Sequence, residues 1–116
     1  MNTTVALVQG VYFLITGIWP LISMRTFLAI TGPKTDLWLV KTVGLVLALI
    51  GAVLIYAQQT ATINPPIAFL AVGAAASLIL VEIVYVIKKV ISPIYLGDAF
   101  VEIVLIVWWV TTLLVA

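Results

Sequence analysis

The chain has 116 residues, of which 66% are hydrophobic and 8% are charged, and its formal net charge is +1. A soluble domain of this size needs many more charged residues to cover its surface, and so weak a positive charge predicts no nucleic-acid binding. Cysteine and histidine are both absent. Their absence excludes thiolate chemistry, the commonest general base and most transition-metal sites, so the sequence predicts no cofactor and no metal.

Four long apolar blocks follow one another along the chain, at about residues 5–22, 37–57, 67–87 and 99–115. Each block is near the roughly 20 residues that a helix needs to cross the hydrocarbon core of a bilayer. The blocks are continuously apolar and do not alternate with period two, which excludes the strands of a membrane barrel. The predicted fold class is an all-α membrane protein, with four transmembrane helices in one bundle and one domain over residues 1–116.

Short connections with turn-forming residues separate the blocks. Residues 31–34 (TGPK) are typical of a turn, and Thr35 or Asp36 then fits the N-cap of the second helix. The pair Pro65 and Pro66 fits the start of the third helix. Asp98 lies at or near the predicted N-cap of the fourth helix.

All five basic residues flank the first or the third connection. Arg25, Lys34 and Lys41 lie in or beside the first connection, and Lys88 and Lys89 lie in the third. The chain ends and the second connection carry no Lys or Arg. Because cytoplasmic loops are enriched in basic residues, both termini are predicted to lie on the non-cytoplasmic side.

Residues 35–39 (TDLWL) resemble residues 97–101 (GDAFV), with Asp98 lying 62 positions after Asp36. One interpretation is a bundle of two tandem helical hairpins. The alternative is convergence, because any helix that enters a membrane favours an acidic cap and an aromatic side chain at the interface.

Three charged residues lie inside apolar blocks: Lys41, Glu82 and Glu102. Each lies four or five residues from the same end of its predicted helix, at a depth of about 6–8 Å. Ionisable residues at depth are costly and usually point into the bundle, so these three are predicted to form an intramembrane charge layer. The side chains expected to support this layer are Arg25, Tyr85 and Asp98.

The charge layer has two interpretations. In the first, Lys41 pairs with Glu82 or Glu102 and locks the helices together, or it extends to the interface. In the second, two carboxylates and one ammonium leave an excess negative charge, which a proton, Arg25 or a bound cation neutralises. A neutralised carboxyl of this kind is what proton-coupled transport uses.

A stripe of small residues runs along the second predicted helix at Gly44, Ala48 and Gly51. Such stripes let membrane helices approach closely, and residues 73–77 (GAAAS) offer a complementary surface on the third helix. We therefore predict that these two helices are neighbours. On the first helix, Gln9, Tyr12 and Thr16 are expected either to line a polar pocket or to form interhelical hydrogen bonds.

Three runs in the first half of the chain carry a resemblance: GVYFL at residues 10–14, TGIWP at 16–20 and TGPKTDLWLV at 31–40. They resemble a group of uncharacterised small bacterial membrane proteins, and the general plan resembles four-helix proteins of the DoxX type. The second half of the chain shares only the layout. The resemblance implies a bacterial inner membrane and no particular activity.

Three functions are compatible with these observations. The first is a non-enzymatic membrane protein that contacts lipid and acts as a homo-oligomer or as an accessory subunit of another membrane protein. The second is a small proton- or cation-coupled transporter or channel that works as an oligomer through Glu82 and Glu102. The third, an intramembrane enzyme or cofactor binder, ranks last because His and Cys are absent.

Overall fold

The computed structural model describes residues 3–115. These residues form five α-helices and no strand: α1 (Thr4–Ile22), α2 (Met24–Thr31), α3 (Leu37–Gln59), α4 (Pro65–Ile87) and α5 (Tyr95–Val115). Helices α1, α3, α4 and α5 are each long and apolar enough to cross a membrane. The predicted all-α fold with four membrane-spanning helices is confirmed.

The predicted helix bounds agree within two residues except at the start of the last helix. Helix α4 begins at Pro65, two residues before the predicted bound and at the proline pair that fits a helix start, behind Asn64, whose side chain accepts a hydrogen bond from the Ile67 N–H. Helix α5 begins four residues earlier than predicted, because turn hydrogen bonds after Ser92 start it at Tyr95. Asp98 therefore lies in the first turn of α5 and is not its N-cap.

Helix α2 lies within the segment predicted to be the first connection. Ser23 caps it, with Oγ accepting a hydrogen bond from the Thr26 N–H. Trp19 of α1 packs edge-on against Phe27, with 5.3 Å between ring centroids, and its Nε1 donates to Thr26 Oγ1 at 2.9 Å. These contacts hold α2 against the end of α1.

The small-residue stripe of α3 packs against α1. A Cβ added at Gly51 would lie 2.5 Å from the carbonyl oxygen of Gly10, and one added at Gly44 would lie 2.5 Å from that of Gly17. These distances are far below ordinary van der Waals contact, so the two backbones touch at both levels. The prediction that Gly44, Ala48 and Gly51 form a close helix interface is right, but the predicted partner, α4, is wrong.

The spacing of glycines explains why α1 is the partner. Gly10 and Gly17 are seven residues apart, as are Gly44 and Gly51, so two antiparallel helices bring glycine against glycine twice, two turns apart. At Gly73 of α4, by contrast, an added Cβ would meet no atom of the described residues within 4 Å.

The two ends of the bundle differ in character. At the end where α1 and α4 finish, the basic end, lie Arg25, Lys34, Lys88 and Lys89. At the opposite, uncharged end, all four long helices contribute to an apolar core. Its fully or nearly fully buried members are Val5, Ala6, Leu54, Ala68, Ala71, Leu105 and Trp109.

Helices α3 and α4 are each followed by a non-glycine residue whose backbone has a left-handed conformation. Ala61 after α3 has φ 54° and Lys89 after α4 has φ 59°. The next N–H in each case bonds back across the helix end, from Thr62 to Ala57 O at 2.8 Å and from Val90 to Tyr85 O at 2.9 Å. This is the Schellman arrangement, which glycine adopts with the least strain.

Candidate functional site

Four polar side chains meet inside the bundle, nearer its basic end: Tyr12 of α1, Glu82 of α4, and Asp98 and Glu102 of α5. We call these residues the acidic cluster. Asp98 and Glu102 are one helical turn apart and therefore share a face of α5. Glu82 lies five residues before the end of α4, which brings it to a similar level.

Asp98 lies at the centre of the cluster. The Tyr12 hydroxyl donates a short hydrogen bond to Asp98 Oδ1. The carboxyl group of Glu82 also lies close to Asp98, so the two acidic groups repel each other when both are ionised.

The two glutamates are buried without adequate partners. Glu102 is 0% exposed and Glu82 is 5% exposed. Within residues 3–115, neither oxygen of Glu102 has a hydrogen-bond partner, and neither does Oε1 of Glu82. A buried acceptor left unpaired costs about 1–3 kcal/mol, and more if it is charged. Native proteins retain few such groups, so each of them needs an explanation.

Lys41 does not join the glutamates. Its side chain is exposed, and the unpaired carboxyl oxygens show that no ion pair neutralises Glu102. The predicted bond from Lys41 to Glu82 or Glu102 is therefore wrong. The face of α3 that carries Gly44 and Gly51 turns towards α1, which leaves Lys41 exposed on the flank of that face.

Of the three residues expected to support the charge layer, only Asp98 lies in the cluster. Arg25 is exposed on α2. Tyr85 is also exposed, and the Nζ of Lys88 lies 5.6 Å from its ring centroid. The cluster consequently contains three acidic side chains and a phenol, without a basic partner from the residues predicted to supply one.

Gln9 and Tyr12 form interhelical hydrogen bonds, one of the two expectations for the polar face of α1. Thr16 instead donates to Tyr12 O of its own helix at 2.8 Å. The place of Tyr12 beside the acidic residues was missed. Its partner Asp98 lies 86 residues away, and no local pattern relates the two.

A second polar contact lies inside the bundle, between the acidic cluster and the uncharged end. The Trp109 Nε1 donates to Gln9 Oε1 at 2.6 Å, and Gln9 Nε2 donates to Ala71 O at 2.9 Å. All three residues are 0% exposed. This Gln9–Trp109 bridge joins α1, α4 and α5. The acidic cluster, by contrast, reaches the surface through the half-buried Tyr12 and Asp98.

The cluster has the chemistry of a site for protons or cations. Carboxyl groups and a phenol exchange protons, and carboxylates attract a positively charged ligand. Over residues 3–115, no three His, Cys, Asp or Glu side chains are arranged as a metal-binding group.

Comparison of the chain with family models, curated proteins and solved structures finds no match. The resemblance to DoxX-type proteins remains a prediction.

Proposed function

We propose that this protein is a small proton-coupled cation transporter or channel, in which a proton and a cation compete for the acidic cluster. The proposal rests on Glu102, which is fully buried and has two unpartnered carboxyl oxygens. A buried negative charge without a basic partner is strongly unfavourable. Either a proton or a bound cation removes that charge, and alternation between the two is the elementary step of coupled transport.

The asymmetry of the bundle supports access from the basic end. The Gln9–Trp109 bridge and the apolar core lie on the uncharged side of the cluster, and Asp98 is half-buried on the other side. Four helices alone rarely enclose a complete path, so we propose that the protein works as an oligomer and that the bridge opens during transport.

The proposed setting is a bacterial inner membrane, with both termini on the non-cytoplasmic side. The orientation is supported by the five basic residues, all of which flank the first and third connections. The bacterial setting is supported by the resemblance of residues 10–40 to small bacterial membrane proteins.

Flux through proteoliposomes tests the proposal. The purified full chain is reconstituted around a trapped pH-sensitive dye, and Na⁺, K⁺ or tetraphenylphosphonium is added outside. We expect at least one of these cations to drive a change in internal pH. Glu102→Gln should reduce the flux to that of protein-free vesicles, because the amide cannot exchange a proton.

Lys41→Gln is the matched control, since it also removes one intramembrane charge but lies outside the cluster. It should leave the flux unchanged. Wild-type flux equal to that of protein-free vesicles with all three cations, or equal loss in both variants, would contradict the proposal.

A second candidate function is the non-enzymatic one, a homo-oligomer or accessory subunit. The observation that favours it is the open space beside Gly73 of α4, where an added Cβ would meet no atom of the described residues within 4 Å. Small residues of this kind permit close packing by a partner helix. If assembly is the function, Gly73→Leu should abolish cross-linked oligomers in membranes, whereas Glu102→Gln should leave them intact.

A further inference from the structure

The first and third connections meet at the basic end and enclose a groove of about 320 Å³. Residues 31–34 form one wall and residues 89–92 form the other. The walls are close, since a Cβ at Gly32 would lie 3.6 Å from the Cβ of Ser92. Among the described residues that line the groove there are two lysines, Lys34 and Lys89, and no acidic residue.

Lys34 supplies a positive charge that is held in place. Its Nζ donates to Thr31 Oγ1 at 2.9 Å, to Gly32 O at 3.2 Å and to Thr31 O at 3.4 Å, so Lys34 acts on a ligand through its charge. The same atom lies 5.2 Å from the ring centroid of Phe27 and 5.1 Å from that of Tyr95. These oxygen atoms and rings are all uncharged. They fix the ammonium group without neutralising it, so its field acts on the groove.

The opposite wall supplies further donors. Lys89 is exposed and bears a second ammonium group. It occupies a left-handed position, where a residue other than glycine is strained. Ser92 Oγ accepts a hydrogen bond from the Ile94 N–H at 3.3 Å, which leaves its own proton for a ligand.

We propose that this groove binds a phosphate group between Lys34, Lys89 and Ser92. The held ammonium group of Lys34, the exposed one of Lys89 and a hydroxyl donor match a phosphate, and no acidic residue lines the groove. The groove lies just beyond the ends of the membrane-spanning helices, at the level where lipid headgroups lie. The phosphate of an anionic phospholipid and a free phosphate ion share this chemistry. This site is separate from the acidic cluster and does not depend on the transport proposal.

Binding to the full-length chain in neutral detergent tests the proposal. Phosphatidylglycerol, phosphatidylcholine with the same acyl chains, and inorganic phosphate at constant ionic strength are titrated separately. Preference for phosphatidylglycerol over phosphatidylcholine identifies a lipid headgroup as ligand, and saturable binding of inorganic phosphate identifies the free ion. Equal affinity for the two lipids, together with no binding of inorganic phosphate, would overturn the proposal.

The neighbouring residue Lys88 provides a matched control, because it carries the same charge but contacts Tyr85 and does not line the groove. Lys89→Gln should weaken binding of the preferred probe about fivefold, the expected effect of one lysine at a membrane surface. Lys89→Arg should restore the affinity, and Lys88→Gln should leave it nearly unchanged. Equal weakening by Lys88→Gln and Lys89→Gln would indicate diffuse surface charge and overturn the assignment.

Discussion

Replacing Gly51 by alanine tests whether close backbone contact holds α1 and α3 together. The added Cβ would lie 2.5 Å from Gly10 O and 2.7 Å from Leu14 N, both of them backbone atoms. Ordinary contact begins near 3.4 Å, so the helices must separate by about 1 Å at this level. A gap of that size forfeits a quarter to a half of each dispersion contact.

The expected penalty from packing is about 1–3 kcal/mol, the usual cost of overpacking. Alanine also favours the helix over glycine by about 1 kcal/mol, which partly offsets the penalty. Gly73→Ala measures the gain in helix propensity alone, because a Cβ at Gly73 meets no atom of the described residues within 4 Å. We expect Gly51→Ala to lower the free energy of unfolding and Gly73→Ala to leave it unchanged or raise it.

Reversible unfolding of both variants in mixed detergent measures the difference. If Gly51→Ala proves as stable as Gly73→Ala, α1 and α3 are not in backbone contact at this level, and the helix pairing described above is wrong.

Three further substitutions test other parts of the structure. Gln9→Leu removes the acceptor of the buried Trp109 N–H, so it should destabilise the protein by about 1–3 kcal/mol in the same unfolding assay; an unchanged stability would show that the bridge is not formed. Ala61→Gly relieves a left-handed alanine and should raise the free energy of unfolding by about 1 kcal/mol, whereas a decrease would contradict the helix ending at that position. Glu102→Gln replaces an unpaired carboxyl by an amide of the same shape and should leave stability unchanged or higher. A loss of about 3–5 kcal/mol would instead indicate that a basic partner had been left unpaired in the membrane.

The four spans could be predicted from composition, because the bilayer requires long apolar helices whatever their neighbours are. Helix α2 could not, since its eight residues depend on the Ser23 cap and on the contact between Trp19 and Phe27. Short helices have little stability of their own and form where tertiary contacts hold them.

The depth of the charged residues was predictable, but their neighbours were not. Sequence position places Lys41, Glu82 and Glu102 at similar levels, whereas the direction in which Lys41 points depends on which helix packs against α3. The glycines of α1 make α1 the helix that packs against α3. Their match to Gly44 and Gly51 can be recognised only once the two helices are known to pack together. Tyr12 and Asp98 meet for the same reason, through packing that no local pattern encodes.

Proton release on cation binding tests the central claim most directly. Na⁺, K⁺ or tetraphenylphosphonium is added to the purified protein in weakly buffered detergent, and the released protons are measured with a pH electrode. Because a proton and a cation compete for the acidic cluster, we expect saturable proton release with at least one of these cations. The release should be lost in Glu102→Gln and retained in Lys41→Gln. No release with any of the three cations, or the same release from Glu102→Gln as from the wild type, would contradict the account.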